Sequence, residues 1–307
     1  MLVNQLPLVI HPEVKSALAD NHAVVALESN VITHGLNYPA NMETALAVEA
    51  AVRRSGAVPA TIGICDGEIF IGMNQEQIER FATTSSITKV SSNNLPFVLA
   101  QKGMGATTVA SSLMLAELAG IDFFSSAGIG GVHRGGEYSM DISSDLIQFT
   151  RSRVTVVCAG AKNILDIGRT LEFLETQCVP VVTYQTDDFP AFYCRSSGYR
   201  SPQRLDSLAE VARAIDINHA LPGSAAMIVA TPTKPEDAID SDDVQAAIQN
   251  AIKKAATEGV TGSLVTKFIM KAVEQATYGR SATANSAVLV NTAEVAGQLA
   301  VVYHSQH

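Results

Sequence analysis

VTVVCAGAKNILDIGRTLEFLETQCVPVVTY, residues 154–184, reads as strand, helix, strand. Its two ends, VTVVCA (154–159) and VPVVTY (179–184), are apolar on both faces, as in a sheet covered on each side. Between them, residues 163–176 carry a helical pattern. The same alternation runs outward. VVAL (24–27), ATIGI (60–64), SITKV (86–90), IDFFS (121–125) and AMIVA (226–230) read as strands, with helices expected over 43–55, 75–82, 107–119, 143–150 and 207–217. That order implies a layered α/β architecture. Beyond Ala230 the pattern becomes helical, over 242–258, 266–277 and 282–303, with Gly259, Gly262 and Gly279 as stops. No linker and no internal repeat interrupts the chain, so one domain over residues 1–307 with a helical C-terminal cap is expected.

Composition narrows the function. Among 307 residues, 47% are apolar and 17% charged, which supplies a large core and argues against disorder. A net charge of −9 without a basic run makes nucleic acid a poor partner. There is no stretch of 18 apolar residues to cross a membrane, and the N-terminal MLVNQLPLVIHPEVK lacks the charged and apolar regions of a secretory signal. Cys65, Cys158, Cys178 and Cys194 are scattered, as reduced structural thiols of a cytoplasmic protein would be.

Three segments are longer than a βα loop needs: SNVITHGLNYPAN, GIGGVHRGGEYSMDISSD and QTDDFPAFYCRSSGYRSPQRL. Each follows the carboxyl end of a strand, where open α/β sheets bind ligands. Lys162, just past an apolar strand, could lose solvation and act as an imine-forming nucleophile; residue type alone favours the plainer reading, a lysine that reaches solvent or binds a phosphate. Glu28 closes the run VVALE and could keep its proton as a general acid, or accept loop amides. In GIGGVHRGG the glycines and Arg134 could approach an anion, and His133 could be a ligand, an acid/base or a structural group. Asp141, Ser143 and Asp145 alternate in MDISSD, which suits a hard divalent ion or sugar hydroxyls; Ser143 or Ser144 as a helix N-cap is the competing reading. GATTVASS enters a helix with Thr107 and Thr108 offered to a phosphate or simply capping. Lys89 could neutralise that phosphate. In residues 185–205, Phe189, Phe192, Tyr193 and Arg195 could close over a ligand, anchor a surface loop or form a subunit contact.

Taken together and in order, VVALESNVITHGLNYPAN, GAVPATIGI, TKVS, GATTVASS, GIGGVHRGGEYSMDIS, VCAGAKNILD and DDFPAFYCRSSG resemble the pseudouridine-5′-phosphate glycosidases, or indigoidine synthase A-like family, over residues 16–302. The resemblance implies a three-layer α/β/α fold with a mixed, mostly buried sheet. It implies a lyase that reversibly cleaves the carbon–carbon glycosidic bond of pseudouridine 5′-phosphate to uracil and ribose 5-phosphate. It implies Mn²⁺ or another divalent ion, one per subunit, and a cytoplasmic homotrimer. Carried onto this chain, it makes Lys162 the nucleophile, Glu28 the proton donor and Asp141 the metal ligand. Substrate contacts fall on Lys89, Thr108, Val109, His133, Ser143, Ser144, Asp145 and Asn285.

The chain departs from the family pattern in places. ESTI is ESNV, with Asn30 for threonine; KVSRRDLP is KVSSNNLP; ATGGIGG is SSAGIGG; NPIP is TPTK; VTPF is VTKF; and NNA after Asn285 is NTA. Glu28 and Lys162 are kept, so the bond-breaking pair is expected to survive. The changed polar groups leave room for a relative that joins ribose 5-phosphate to another carbon nucleophile, or for a ligand-binding protein without catalysis.

Overall fold

Runs buried on both faces become the centre of the sheet. In this computed structural model, which describes residues 6–260 and 264–306, every residue of β2 (Val24–Glu28) and of β8 (Thr155–Cys158) is buried. The expected stop at Gly262 lies outside the described residues. The other strands are β1 (Leu8–Ile10), β3 (Val58–Cys65), β4 (Glu68–Ile71), β5 (Thr88–Val90), β6 (Gly105–Thr107), β7 (Phe123–Ser125), β9 (Val181–Tyr184), β10 (Arg204–Leu205) and β11 (Ile228–Ala230). Together they form one mixed sheet: nine run in the order β1-β4-β3-β2-β7-β8-β11-β9-β10, and β5 and β6 branch from it, β6 on β3 and β5 on β6. β2, β7, β8, β11 and β9 pair in parallel, so their carboxyl ends share one edge. β3 pairs antiparallel with β4 and β6.

Helices cover both faces: α1 (Pro12–Ala19), α2 (Asn30–His34), α3 (Ala40–Arg54), α4 (Gln75–Thr83), α5 (Leu95–Ala100), α6 (Val109–Ala119), α7 (Gly136–Ser139), α8 (Ser144–Phe149), α9 (Ile167–Thr176), α10 (Leu208–Ala220), α11 (Ser241–Thr257), α12 (Leu264–Ala276) and α13 (Arg280–His304). α6 packs on β2, β7 and α8, whereas α13 packs on β2, β7 and β8 from the other side, with α3 and α10 beside it. The expected three layers are therefore present. α13 has the length and apolarity to cross a membrane, but its Val288, Leu289, Val295, Ala296 and Leu299 are buried against the sheet and its neighbours.

Two local departures from the sequence reading shape the site. The helix expected from residue 163 starts at Ile167, because the Asp166 carboxylate accepts the Arg169 amide at 3.0 Å and caps it there. Residues 163–165 are thereby left as loop beside Lys162. The turn expected at GAT is strand β6. β3 outruns β2 past the Glu28–Ile62 pair and uses its extra length, Gly63 and Ile64, to hold β6. That places Thr107 against Ser29, one residue beyond Glu28: the Thr107 amide donates to Ser29 Oγ at 2.9 Å.

Candidate active site

Beyond the last regular pair of β7 and β8, the two chains continue side by side. Ser126 donates its amide to the Val157 carbonyl (3.1 Å), Ala159 to Ala127 (2.9 Å), Ile129 to Gly160 (3.0 Å) and Lys162 to Ile129 (3.1 Å). This irregular ladder fixes the backbone on which Lys162 stands. It also carries the side chain that meets Glu28, since the Ser126 hydroxyl donates to Glu28 Oε1 at 2.5 Å.

Glu28 is 6% exposed. Burial pushes its carboxyl pKa up; the Lys162 charge and the Ser126 hydrogen bond oppose the rise, Asp145 adds to it and Lys89 subtracts. An acid so placed keeps its proton closer to neutrality than a surface glutamate does. Lys162 is half-buried, neither sealed off nor free in solvent. Lys89 is exposed as a residue, yet desolvation first and the Lys162 charge second draw its ammonium pKa down, with Asp145 and Glu28 opposing. Burial likewise lowers the His133 pKa, aided by Lys162 and Lys89 and opposed by Asp141. Residues from four separate stretches of sequence thus act on one another electrostatically.

The glycine loop is held by a carboxylate. Asp145, 5% exposed, accepts the Gly130 amide on Oδ2 at 2.8 Å and the Ala110 amide on Oδ1 at 3.0 Å. Only glycine fits at 130, because a Cβ there would meet Ser143 Oγ at 2.2 Å. Between the two helix-capping candidates the structure selects Ser143, whose hydroxyl accepts the Asp145 amide at 3.3 Å. Ser144 Oγ instead meets Ser91 Oγ at 2.5 Å. Within SSNN, Asn94 closes its own turn, accepting the Ser91 amide at 2.7 Å and donating to the Lys89 carbonyl at 3.0 Å. Thr108 precedes α6 and donates its amide to Ser111 Oγ at 3.0 Å; its own hydroxyl is buried without a partner. Val109, 2% exposed, is the first residue of that helix. Asn285 lies on α13, and its Oδ1 too is buried and unpartnered.

Asp141 is half-exposed, with Oδ2 3.9 Å from His133 Nδ1. Among the described residues no three His, Cys, Asp or Glu side chains come together as a metal cage. Arg134 donates to the Asn163 carbonyl at 3.1 Å and to Gln245 at 2.7 Å, tying the glycine loop to α11, while its Nε is buried without a partner. The aromatic loop is anchored. Phe189, Phe192 and Tyr193 are buried in the main core, and Arg195 donates to the Thr233 carbonyl. Its backbone presses on the lysine loop, with the Phe192 amide on the Ala159 carbonyl at 2.7 Å.

Sequence reasoning missed Ser126, Ser29 and the Ser91–Ser144 contact; serines carry no spacing signal for such partners. Two hollows of about 470 and 580 Å³ lie elsewhere, around Leu171, Pro202 and Leu205 and around Arg169, Tyr199 and Arg200. Neither contains Glu28 or Lys162, and the first is mostly apolar, so convergent charged groups and not cavity size mark the site.

A family model described as indigoidine synthase A like protein matches residues 13–302. A Serratia proteamaculans protein named pseudouridine-5′-phosphate glycosidase is 87% identical over 304 residues, covering 99% of each chain. A Photorhabdus laumondii protein named pseudouridine-5′-phosphate glycosidase 1 is 64% identical, covering 97% of this chain and 94% of its own. Among solved structures, the prealnumycin C-glycosynthase AlnA in complex with ribulose 5-phosphate superimposes with a TM-score of 0.92 at 42% identity, covering 97% of each chain.

Proposed function

The chain belongs to the indigoidine synthase A-like family, and from that premise we propose that it reversibly cleaves pseudouridine 5′-phosphate to uracil and ribose 5-phosphate through an imine on Lys162. The observation that carries this reading is the buried Glu28 within the electrostatic reach of Lys162 at one sheet edge. The leaving atom is a ring carbon, which cannot depart as a nitrogen leaving group does. The sugar must open first. The Lys162 nitrogen adds through its lone pair to C1′ as the C1′–O4′ bond breaks, and Glu28 gives its proton to O4′. The alkylated Lys162 nitrogen then sheds a proton, which passes to C5 of the base, and the C1′–C5 bond can break. The amine lone pair forms the C1′ imine, and uracil leaves with its new C5–H. Water adds to the protonated imine, releasing ribose 5-phosphate and the amine, and the remaining proton returns to Glu28. The steps run backwards for synthesis.

Lys89, Thr108 and Val109 at the start of α6 are assigned to the phosphate end, where a cation and an unpartnered hydroxyl favour an anion. Asp145 holds the glycine loop to α6 and keeps lone pairs for a sugar hydroxyl, with Ser143 and Ser144 beside it. The single half-exposed carboxylate of Asp141, near His133, suits a hard ion such as Mn²⁺ or Mg²⁺ that keeps most of its water. Such an ion would help to orient and neutralise the substrate.

We carry the homotrimer and the cytoplasmic location as part of the same proposal. The trimer rests on the family resemblance alone, and the four cysteines, free of disulfides, favour a reducing compartment. The 87% identity to a glycosidase, against 42% to the C-glycosynthase, favours uracil over another carbon nucleophile. Uracil release from pseudouridine 5′-phosphate, with and without chelator, tests the activity. Wild type should turn over and Lys162→Ala should not; no turnover by metal-loaded wild type refutes the reading.

A further inference from the structure

Buried polar atoms without partners are rare in folded proteins, and each calls for a reason. Eight occur among the described residues, and two of them stand in sequence beside the proposed acid and nucleophile: Asn30 Oδ1, two residues past Glu28, and Asn163 Oδ1, next to Lys162. The mechanism gives Asn30 no task.

Asn30 opens α2, a short helix fastened to α3 at one side and to the segment before β5 at the other. On one side the Asn41 amide of α3 donates to the Ile32 carbonyl at 2.8 Å. On the other, the His34 ring meets the Ile87 carbonyl, just before β5, at 3.1 Å. The Asn30 side chain caps nothing and its acceptor oxygen is sealed from water. A buried acceptor deprived of a donor is costly unless a ligand supplies one. On the phosphate and sugar side, Lys89, Thr108, Ser143, Ser144 and Asp145 already offer a cation and hydroxyl-matching groups. The base is left, and an amide's planar donor–acceptor edge matches an imide edge.

We propose that Asn30 is a specificity-determining residue for the proposed C-glycosidase reaction: its Oδ1 accepts a ring N–H of the carbon-linked base. Uracil joined through carbon keeps both ring N–H groups, whereas a base joined through nitrogen has given one up. Because N3–H survives in both kinds, an acceptor selects for the first kind when it takes N1–H. The inference rests on the activity proposed above.

The test runs in the synthetic direction, with ribose 5-phosphate and uracil, 1-methyluracil or 3-methyluracil. Wild type should reject one methylated base relative to uracil, and Asn30→Ala should reduce that rejection by about tenfold or more. Asn30→Asp, which keeps an acceptor oxygen, should retain it. The concentration of ribose 5-phosphate that half-saturates borohydride trapping should move little in Asn30→Ala, because the loss falls on the base. Unchanged base discrimination in an active Asn30→Ala overturns the assignment, as does a shift confined to ribose 5-phosphate. Wild type that forms no product with uracil refutes the activity itself, a distinct outcome.

Discussion

Replacing Gly160 with alanine puts a methyl carbon 1.9 Å from the Pro190 carbonyl oxygen, on a backbone held at φ +73°. The obstacle is main chain, so no side-chain rotation relieves it. The left-handed conformation costs alanine about 1–2 kcal/mol, partly offset by the smaller entropy of its unfolded chain. Forcing the two backbones apart adds about 1–3 kcal/mol more. Gly120→Ala is the matched control: its φ is +78° and nothing lies within 4 Å of the new carbon. The difference between the two variants therefore isolates the collision with Pro190. At about 2 °C per kcal/mol for a chain of this size, Gly160→Ala should melt roughly 4–8 °C below wild type and Gly120→Ala roughly 1–2 °C below. Function should split further. Pro190 can retreat only by dragging Phe192, bonded to Ala159, and with it the loop that carries Lys162. Uracil release at a temperature where both variants are folded should be normal in Gly120→Ala and reduced about tenfold or more in Gly160→Ala, since misplacing a nucleophile by a fraction of an ångström is expensive. Equal melting shifts, or full activity in Gly160→Ala, would refute the reasoning.

Further outcomes follow from the buried carboxylates. Glu28→Gln should lose about 10²-fold or more in turnover. Because burial raises the folded pKa of Glu28, wild type carries a penalty at high pH that is relieved as pH falls through that pKa toward the unfolded value. The melting temperature of Glu28→Gln relative to wild type should therefore be higher at pH 8 than at pH 5; no pH dependence in that difference contradicts the assignment. Ser126→Ala removes a hydrogen bond that favours the Glu28 carboxylate, so the alkaline limb of the turnover profile should move to higher pH. Asp145→Ala strips the acceptor from the Gly130 and Ala110 amides and should cost about 2–4 kcal/mol, read by thermal unfolding. Loss within 0.5 kcal/mol, roughly the range of ordinary surface changes, would show that water replaces it.

The centre of the sheet was legible because β2, β3, β8 and β9 are apolar on both faces, and a chain that buries both faces of a strand must write them so. The strands the sequence concealed are short or half-polar: Glu68–Ile71 begins with an exposed glutamate, and Gly105–Thr107 is strand only because the overhang of β3 offers it a partner. Such pairing is tertiary and leaves no periodic mark. Glu28 and Lys162 stood out as charged groups closing apolar strands, yet the sequence left a bland alternative open for each, and only the fold brings the Lys162 charge to bear on the Glu28 carboxyl. The aromatic run 189–193 was ambiguous for a similar reason: composition cannot say whether Phe189 and Tyr193 face a ligand or a core, and here they fill the core. Ser126 was invisible because a serine bonded to a carboxylate reads like any other serine.

Borohydride reduction of the wild-type protein in the presence of ribose 5-phosphate, followed by peptide mass mapping, interrogates the chemistry at its key atom. A single reduced pentose-phosphate adduct on the peptide containing Lys162, absent from Lys162→Arg, is the outcome expected. An active enzyme that yields no adduct, or one trapped on Lys89 instead, contradicts it.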